Sequence, residues 1–284
     1  MKEPLKTLAR KGANLAGACY LMGPGVKRLS KFLPKPTPAD LEVSWDNVLV
    51  LAPHPDDEVF GAGLLLNKLQ EQQARVTIAY ITSGGAYHTN AGRNRKKEAE
   101  ASADRLGAEG VFMDFQDGRL QNAPGLEEKL ADLFAQIRPQ AVLLPWFGDY
   151  HSDHRALARA AIGRPDPQAQ YLFYSTFSPL WPSPEFKMSY ILGGEEKIQA
   201  ALAAYRASVN QETVSSFMVL RRALARVYLH NNIFWEPLLT ISGADVGGIR
   251  DMAANWPSVY PTLKRPRHWR RFLRQLRNLH RMTS

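Results

Sequence analysis

Short apolar segments alternate with helix-length segments along the first two thirds of the chain, and this alternation is the feature that most constrains the fold. Residues 47–52 (NVLVLA) form a continuous apolar run, which is typical of a strand buried on both faces of a sheet. Residues 58–72 follow with helical spacing of their leucines, and residues 75–82 (RVTIAYIT) form a second predicted strand. Strands and helices that alternate in this way predict an α/β fold, with a mostly parallel sheet and helices on both faces.

The alternation continues to Ser175 and then fades. Pro34, Pro36 and Pro38 precede the first strand and are typical of a stiff linker. Beyond Ser175 the spacing is mainly helical, so we expect a helical C-terminal region. Further strands are predicted at residues 111–115, 141–145 and 170–175, and further helices at residues 93–106, 125–137, 154–162, 195–209 and 215–230.

Positive charge is concentrated at the two ends of the 284-residue chain, whose net charge is +9. Residues 1–35 hold eight Lys/Arg and one acid, residues 264–284 hold eight Lys/Arg and no acid, and the middle is mildly acidic. Basic ends favour contact with a polyanion such as a membrane surface or nucleic acid, and solvated tails are the alternative. We therefore divide the chain into a basic N-terminal segment with its Pro-rich linker (1–38), a folded domain (39–263) and a C-terminal helix (264–284).

The C-terminal helix is predicted from residues 268–281 (HWRRFLRQLRNLHR). A basic amphipathic helix with aromatic residues on its apolar face suits an anionic membrane surface. Docking of that face on the folded domain is the alternative, and nucleic acid is less favoured because no known nucleic-acid-binding motif accompanies the charge. The apolar face would hold Trp269, Phe272, Leu273, Leu276 and Leu279, with Arg270, Arg271, Arg274, Arg277 and Arg281 around it.

Cysteine content and hydropathy bear on the compartment. The chain has one cysteine, Cys19, so neither an intrachain disulfide nor a zinc site built from several cysteines can form. No apolar run reaches the roughly 18 residues that a membrane-spanning helix needs. We expect a cytoplasmic protein, with peripheral attachment to a membrane surface as a further hypothesis.

Two clusters of histidines and carboxylates follow predicted strands. Residues 53–58 (PHPDDE) come after the first strand, and residues 149–154 (DYHSDH) come after the fourth. Ligands of open parallel sheets bind at the carboxyl ends of the strands, so both clusters should lie at one edge. Two histidines and one carboxylate form a common catalytic zinc set. In the alternative interpretation, Asp56 and Asp57 only cap a helix, and His151 and Asp153 form an ordinary loop pair.

The two clusters, in this order, resemble the motifs of the PIG-L/LmbE-like N-acetylglucosaminyl deacetylases. The matching segments are residues 52–58 (APHPDDE) and residues 151–154 (HSDH). Weaker matches lie between them at residues 82–84 (TSG), at Arg95 with Glu98, and at residues 115–120 (FQDGRL). The resemblance covers roughly residues 46–210 and implies a Rossmann-like sheet that carries a zinc-dependent amidase in the folded domain.

The resemblance also implies a role for each matching residue. His54, Asp57 and His154 would bind Zn²⁺ or another divalent transition metal. Asp56 would act as the general base, and His151 would polarise the carbonyl and stabilise the oxyanion. Asp153 would hold the tautomer of His151, and Arg95 would contact the substrate. Many members of the family have an acidic residue after the Thr-x-Gly element, whereas this chain has Gly85 and Ala86.

The function that follows is removal of acetyl from an N-acetylglucosamine-type conjugate in glycoconjugate biosynthesis. The basic ends favour an anionic or lipid-linked N-acetylhexosamine as the substrate. One alternative is deacylation of a small soluble glycoside in a thiol or antibiotic pathway. Another is a membrane-associated protein that keeps the fold without catalysis, although such a protein would not need Asp56. The sequence does not indicate the oligomeric state.

Overall fold

The computed structural model describes residues 38–85, 89–149, 151–178, 180, 185–229 and 234–256. The N-terminal segment with its linker, up to residue 37, and the predicted C-terminal helix lie outside the described residues, so the division of the chain into three parts stays a prediction. Among the residues described, no helix is both long enough and apolar enough to cross a bilayer.

The described elements alternate along most of the chain. The strands are β1 (Ala39–Asp40), β2 (Asn47–Ala52), β3 (Arg75–Thr82), β4 (Ala108–Phe115), β5 (Ala141–Pro145), β6 (Gln170–Tyr174), β7 (Lys187–Leu192) and β8 (Trp235–Ser242). The helices are α1 (Asp57–Glu71), α2 (Thr89–Arg105), α3 (Leu126–Ile137), α4 (Ser152–Gly163), α5 (Glu195–Leu202), α6 (Gln211–Tyr228) and α7 (Arg250–Asn255).

The strands form one eight-stranded sheet in the order β1-β7-β8-β6-β5-β2-β3-β4. Five neighbouring strands, in the order β6, β5, β2, β3 and β4, are parallel to one another. Strand β8 is antiparallel to both of its neighbours, β6 and β7. Strands β2 and β5 are adjacent and in register, with Leu49 opposite Val142. The predicted α/β fold with a mostly parallel sheet is confirmed.

The core forms one layer on each face of the sheet. Strand β2 is buried on both sides: Leu49 and Leu51 face the layer that includes α3 and α4, and Val48 and Val50 face the layer that includes α1 and α2. Burial on both faces explains why β2 is a continuous apolar run rather than an alternating one. The layers place helices on both faces, as the sequence predicts.

The region after Ser175 contains α5 and α6, as expected, and also two strands that the sequence interpretation missed. Residues 195–209 begin as a helix that ends at Leu202 and continues as a 3₁₀ turn over Ala203–Tyr205. Strand β8 contains Pro237, a residue that argues against a central strand. In the structure Pro237 pairs with Tyr190 of β7, and the pairing of β8 with β6 reaches only to Leu238. The proline therefore lies past the end of β6.

Candidate active site

Both predicted clusters lie at the carboxyl edge of the sheet. His54 and Asp57 follow β2, while His151 and His154 follow its neighbour β5, at the start of α4. Adjacent parallel strands end at the same edge, so the sheet brings the clusters together as predicted. The ring centroids of His54 and His151 are 4.7 Å apart, and those of His54 and His154 are 5.4 Å apart.

The turn between β2 and α1 has an unusual backbone. Asp56 has φ 102° and ψ −24°, a left-handed conformation that is uncommon outside glycine and costs on the order of 1–3 kcal/mol. Two hydrogen bonds support the turn: the Asp57 N–H donates to the His54 carbonyl at 3.2 Å, and the Asp56 N–H donates to the Glu58 carboxylate at 3.0 Å. Glu58 is fully buried and also accepts from the hydroxyl of Ser102 at 2.8 Å. Strain of this kind persists where surrounding contacts determine the backbone, often at functional sites.

The three residues that the resemblance assigns to the metal meet at one oxygen. Asp57 Oδ2 lies 2.9 Å from His54 Nδ1 and 3.1 Å from His154 Nε2. Two further groups have ligating atoms within 4.8 Å of one another, namely His54 with His151 and His154, and His54 with Asp117 and Asp153. His54 belongs to both groups and is therefore at the centre of the site.

Burial and neighbouring charges have opposite influences on the pKa values of Asp57, His154 and His54. Burial alone would raise the pKa of Asp57, but the adjacent His154 and His54 outweigh it and hold that pKa well below its usual range. Burial would lower the pKa of His154, yet Asp57 and Asp149 raise it to about 9. Burial opposes the charge of His54 as well, and Asp117, Asp153 and Asp57 raise its pKa well above the ordinary value. The buried carboxylates thus raise the pKa values of His54 and His154, while these two histidines lower the pKa of Asp57.

The residues present fit a bound zinc-class cation. Two imidazoles and one carboxylate match the donor set of catalytic zinc sites. Carboxylates also lie beside a ring nitrogen of each histidine, a position from which a carboxylate can orient a ligating histidine. His54 Nε2 is 3.1 Å from Asp117 Oδ1, and His154 Nδ1 is 3.6 Å from Asp149 Oδ2. His154 Nδ1 and Asp149 Oδ2 are buried without a hydrogen-bond partner in the described part of the chain, and a small movement of either would join them.

Asp56 and Arg95 form a partly buried ion pair beside this set. Arg95 Nη2 lies 2.6 Å from Asp56 Oδ2 and also donates to the Pro55 carbonyl. Burial raises the pKa of Asp56 to about 7, against the lowering influence of Arg95. Gly84 has φ 64°, and a Cβ atom there would lie 2.7 Å from Arg95 Nε, so the absence of a side chain makes room for the arginine. A carboxyl with this pKa is suited to accept and release a proton near neutral pH.

His151 caps α4 with its own ring. Its Nδ1 accepts a hydrogen bond from the Asp153 backbone N–H at 3.3 Å, and its backbone N–H donates to Asp149 Oδ1 at 2.8 Å. Burial lowers the pKa of His151, and the neighbouring His154 and His54 lower it further. A neutral ring that accepts at Nδ1 carries its proton on Nε2.

Asp153 contacts His151 differently from what the sequence suggested. Its backbone N–H, rather than its carboxylate, makes the hydrogen bond that selects the tautomer of His151. The carboxylate accepts from the Gly118 N–H at 2.6 Å and the Leu120 N–H at 3.2 Å, and lies 3.3 Å from His54 Nε2. It orders the loop after β4, because it accepts from two backbone amides of that loop.

The sequence interpretation gave no role to Asp117, Asp149 or Glu58, although Asp117 lies in the weakly matching segment 115–120. Asp117 follows β4, which is one of the strand ends where a ligand is expected, so its position was the available signal. Its contact with His54 depends on the loop that Asp153 holds. Nothing in the local sequence predicts that contact.

Comparisons with known proteins agree with this geometry. Residues 49–163 match the family model described as "PIG-L: GlcNAc-PI de-N-acetylase". The chain is 30% identical over 132 residues to the probable N-acetyl-alpha-D-glucosaminyl L-malate deacetylase 2 of Bacillus cereus, covering 41% of this chain and 59% of that protein. It is 29% identical over 119 residues to the diacetylchitobiose deacetylase of Thermococcus kodakarensis, covering 38% of this chain and 45% of that protein. These matches span about half the length of the two relatives.

A solved structure is similar over a longer stretch. The conserved protein TT1542 of Thermus thermophilus has a TM-score of 0.57 and 28% identity, and the match covers 70% of this chain and 94% of that one. The residues that the family model matches include both clusters of the site. Residues 49–163, which hold both clusters, are therefore similar to the PIG-L/LmbE-like family of deacetylases.

Proposed function

We propose that this protein is a metal-dependent N-deacetylase that hydrolyses the acetamide of an N-acetylglucosamine-type conjugate. The observation that carries the proposal is the meeting of His54 and His154 at one oxygen of Asp57, with Asp56 on the adjacent position of the turn. The relatives named as deacetylases of N-acetylated sugars support this substrate class.

His54, Asp57 and His154 would hold the metal, as Zn²⁺ or another divalent transition ion. When bound, such an ion supplies Lewis acidity, which activates water and polarises the amide carbonyl. Two properties of the chain suit these residues to the task. Asp57 is held as an anion, and carboxylates lie next to both histidine rings, where they can orient them.

The remaining residues move protons and stabilise charge. Asp56, whose pKa burial raises to about 7, accepts the proton from the attacking water. His151 is neutral with its proton on Nε2, and it donates a hydrogen bond to the oxyanion that forms on the carbonyl oxygen of the acetyl group. The C–N bond then breaks to leave acetate and a free amine, which takes its proton from Asp56 or His151. Arg95 holds Asp56 in place and is the candidate contact for a substrate hydroxyl.

Release of acetate from defined substrates tests this proposal. The full chain, loaded with Zn²⁺ or Co²⁺, should release acetate from one or more members of a panel of free, anionic and lipid-linked N-acetylhexosamines. Asp56→Asn is the control, because its site keeps the metal ligands while losing the base. A metal-loaded protein that releases no acetate from any panel member, or an Asp56→Asn variant that is equally active, would overturn the proposal.

We further propose that the basic C-terminal segment brings the enzyme, in the cytoplasm, to an anionic membrane surface that carries a lipid-linked substrate. Each basic residue near such a surface is worth about 1 kcal/mol, and exposed charges are screened over about 10 Å at 0.1 M salt. The full chain should co-sediment with anionic liposomes at low salt, and a version that ends at Pro266 should do so much less while it still hydrolyses a soluble substrate. Equal sedimentation of the two versions would show that the segment has another role.

A further inference from the structure

Helix α1, which carries Asp57, is broken after its first turn. Ala62 has φ −140° and ψ 20°, values outside the helical region, while the residues on both sides continue as helix. The break separates a short segment, residues 57–61, from the longer segment, residues 63–71. The short segment carries Asp57 and Glu58, so the break lies between the site and the body of the helix.

The groups at the break bond two buried charged side chains. In an uninterrupted helix the Leu64 N–H would donate to the Phe60 carbonyl. Here the Leu64 N–H donates to Glu236 Oε2 at 2.8 Å, and the Leu65 N–H donates to Glu236 Oε1 at 3.0 Å. The Phe60 carbonyl accepts from Arg221 Nη2 at 2.9 Å.

The two side chains come from distant parts of the chain. Glu236 lies on β8 and Arg221 lies on α6, more than 150 residues after the break, and they are 2% and 1% exposed. The same Arg221 nitrogen donates to the Ser175 carbonyl at the end of β6, and the Arg221 carbonyl accepts from Trp235 Nε1 at 3.0 Å. Arg221 thus connects the first turn of α1 to the sheet.

We infer that Arg221 and Glu236 are positioning residues: by holding the two sides of the break, they set where the first turn of α1 places Asp57. This inference rests on the proposed function, because it concerns the metal site. Glu236 acts as the N-terminal cap of the longer segment, a role that the residue just before a helix normally takes. Arg221 donates a hydrogen bond to the Phe60 carbonyl at the C-terminal end of the shorter segment.

The cost of the arrangement is consistent with a specific role. Burial raises the pKa of Glu236 to about 7 and lowers the pKa of Arg221 to about 10, so the surroundings disfavour both charges. Arg221 Nη1 is buried and has no hydrogen-bond partner in the described residues. An unbroken helix would need neither side chain, since its backbone groups would satisfy one another.

The test compares metal binding and local order in these variants with those in a control variant that is destabilised elsewhere. Arg221→Met and Glu236→Gln each remove part of the connection, and Arg221→Lys and Glu236→Asp keep the charge in case the first two fail to fold. The control is Ile241→Ala on β8, because Ile241 packs on the opposite face of the sheet from α1. Each protein is titrated metal-free with Co²⁺, and amide hydrogen exchange is measured over residues 56–63.

We expect the variants at Arg221 and Glu236 to bind Co²⁺ about tenfold more weakly, near the lower end of the range for loss of partners that orient ligands. The visible absorption of bound Co²⁺ should change, and residues 56–63 should exchange faster. Ile241→Ala should lose stability, but its Co²⁺ affinity, its visible absorption and the exchange of residues 56–63 should not change. Variants that match the control in Co²⁺ affinity, spectrum and exchange would overturn the inference. If the wild-type protein binds no Co²⁺, the proposed function fails. Separately, if residues 56–63 exchange in the variants at the same rate as in the control, Arg221 and Glu236 do not hold the first turn of α1 in place.

Discussion

The two segments that build the site are held in different ways. Residues 151–154 begin α4 with extended backbone at His151 (φ −80°, ψ 131°) and a hydrogen bond two residues along the chain. Residues 53–58 need a left-handed Asp56, a buried Glu58 and a helix that breaks at Ala62. The helix start in the first segment is capped by a local hydrogen bond, and its Asp153 carboxylate bonds the loop after β4. The second segment depends on side chains from β8, α6 and α2.

This difference indicates where precision is needed. In the proposed metal site His154 presents one ring nitrogen, and a regular helix start is sufficient for that. The other segment has to place adjacent carboxylates in different surroundings: Asp57 against two histidines and Asp56 against Arg95. A regular helix would direct neighbouring side chains about 100° apart with little freedom to adjust them, so the strained turn supplies the separation.

The largest expected effect is loss of the metal when the locally held segment is changed. His154→Ala should reduce the metal content from about one zinc-class ion per chain to near zero, because two remaining ligands do not form a catalytic zinc set. Elemental analysis of both purified proteins measures this. Equal metal content in the two would remove His154 from the ligand set.

The next effect separates the roles of the two carboxylates. Asp56→Asn should keep the metal and lose turnover by about 10²–10⁴-fold, the usual contribution of a general base. Asparagine tolerates the left-handed backbone, so the turn should remain. If Asp56→Asn empties the site while Asp57→Asn leaves it filled, the two carboxylates have been assigned the wrong way round.

A smaller effect should come from the packing beneath the broken helix. A Cβ atom at Gly61 would lie 2.1 Å from the ring of Tyr174, so Gly61→Ala should destabilise the fold by roughly 1–3 kcal/mol through overpacking. Gly247→Ala is the matched control, since a Cβ atom there meets nothing within 4 Å. Denaturant unfolding of both variants makes the comparison, and similar losses would show that Tyr174 moves aside without cost.

The smallest effect concerns a cap that is local to its helix. Asn210 Oδ1 accepts from the Thr213 N–H at 2.8 Å at the start of α6. Asn210→Ala should cost about 1 kcal/mol of unfolding free energy. Its Co²⁺ affinity should equal that of the wild type, in contrast to the Glu236 variants. A weaker affinity would mean that any loss of a cap disturbs the site.

Much of the fold and most of the candidate site could be predicted from the sequence. The parallel strands β2, β3, β5 and β6 are almost wholly buried and have apolar runs that the local pattern detects, because burial on both faces excludes polar side chains. The two clusters fall directly after β2 and β5, so the rule for strand ends placed them together. Strands β7 and β8 were missed, since Glu236 and Pro237 in β8 contradict the local signal of a central strand.

The sequence by itself determined the candidate site residues: His54, Asp56, Asp57, His151 and His154 stand in two short motifs after strands, and their spacing is local. Only the tertiary structure decided which atoms meet. The contact of Asp117 with His54 and the bonds from Glu236 and Arg221 to α1 join residues that are 63 to 172 positions apart. Such contacts leave no periodic trace in the sequence, because packing of the whole sheet and its helices brings the partners together. A buried glutamate or arginine therefore acquires its role only when the backbone groups it satisfies are known.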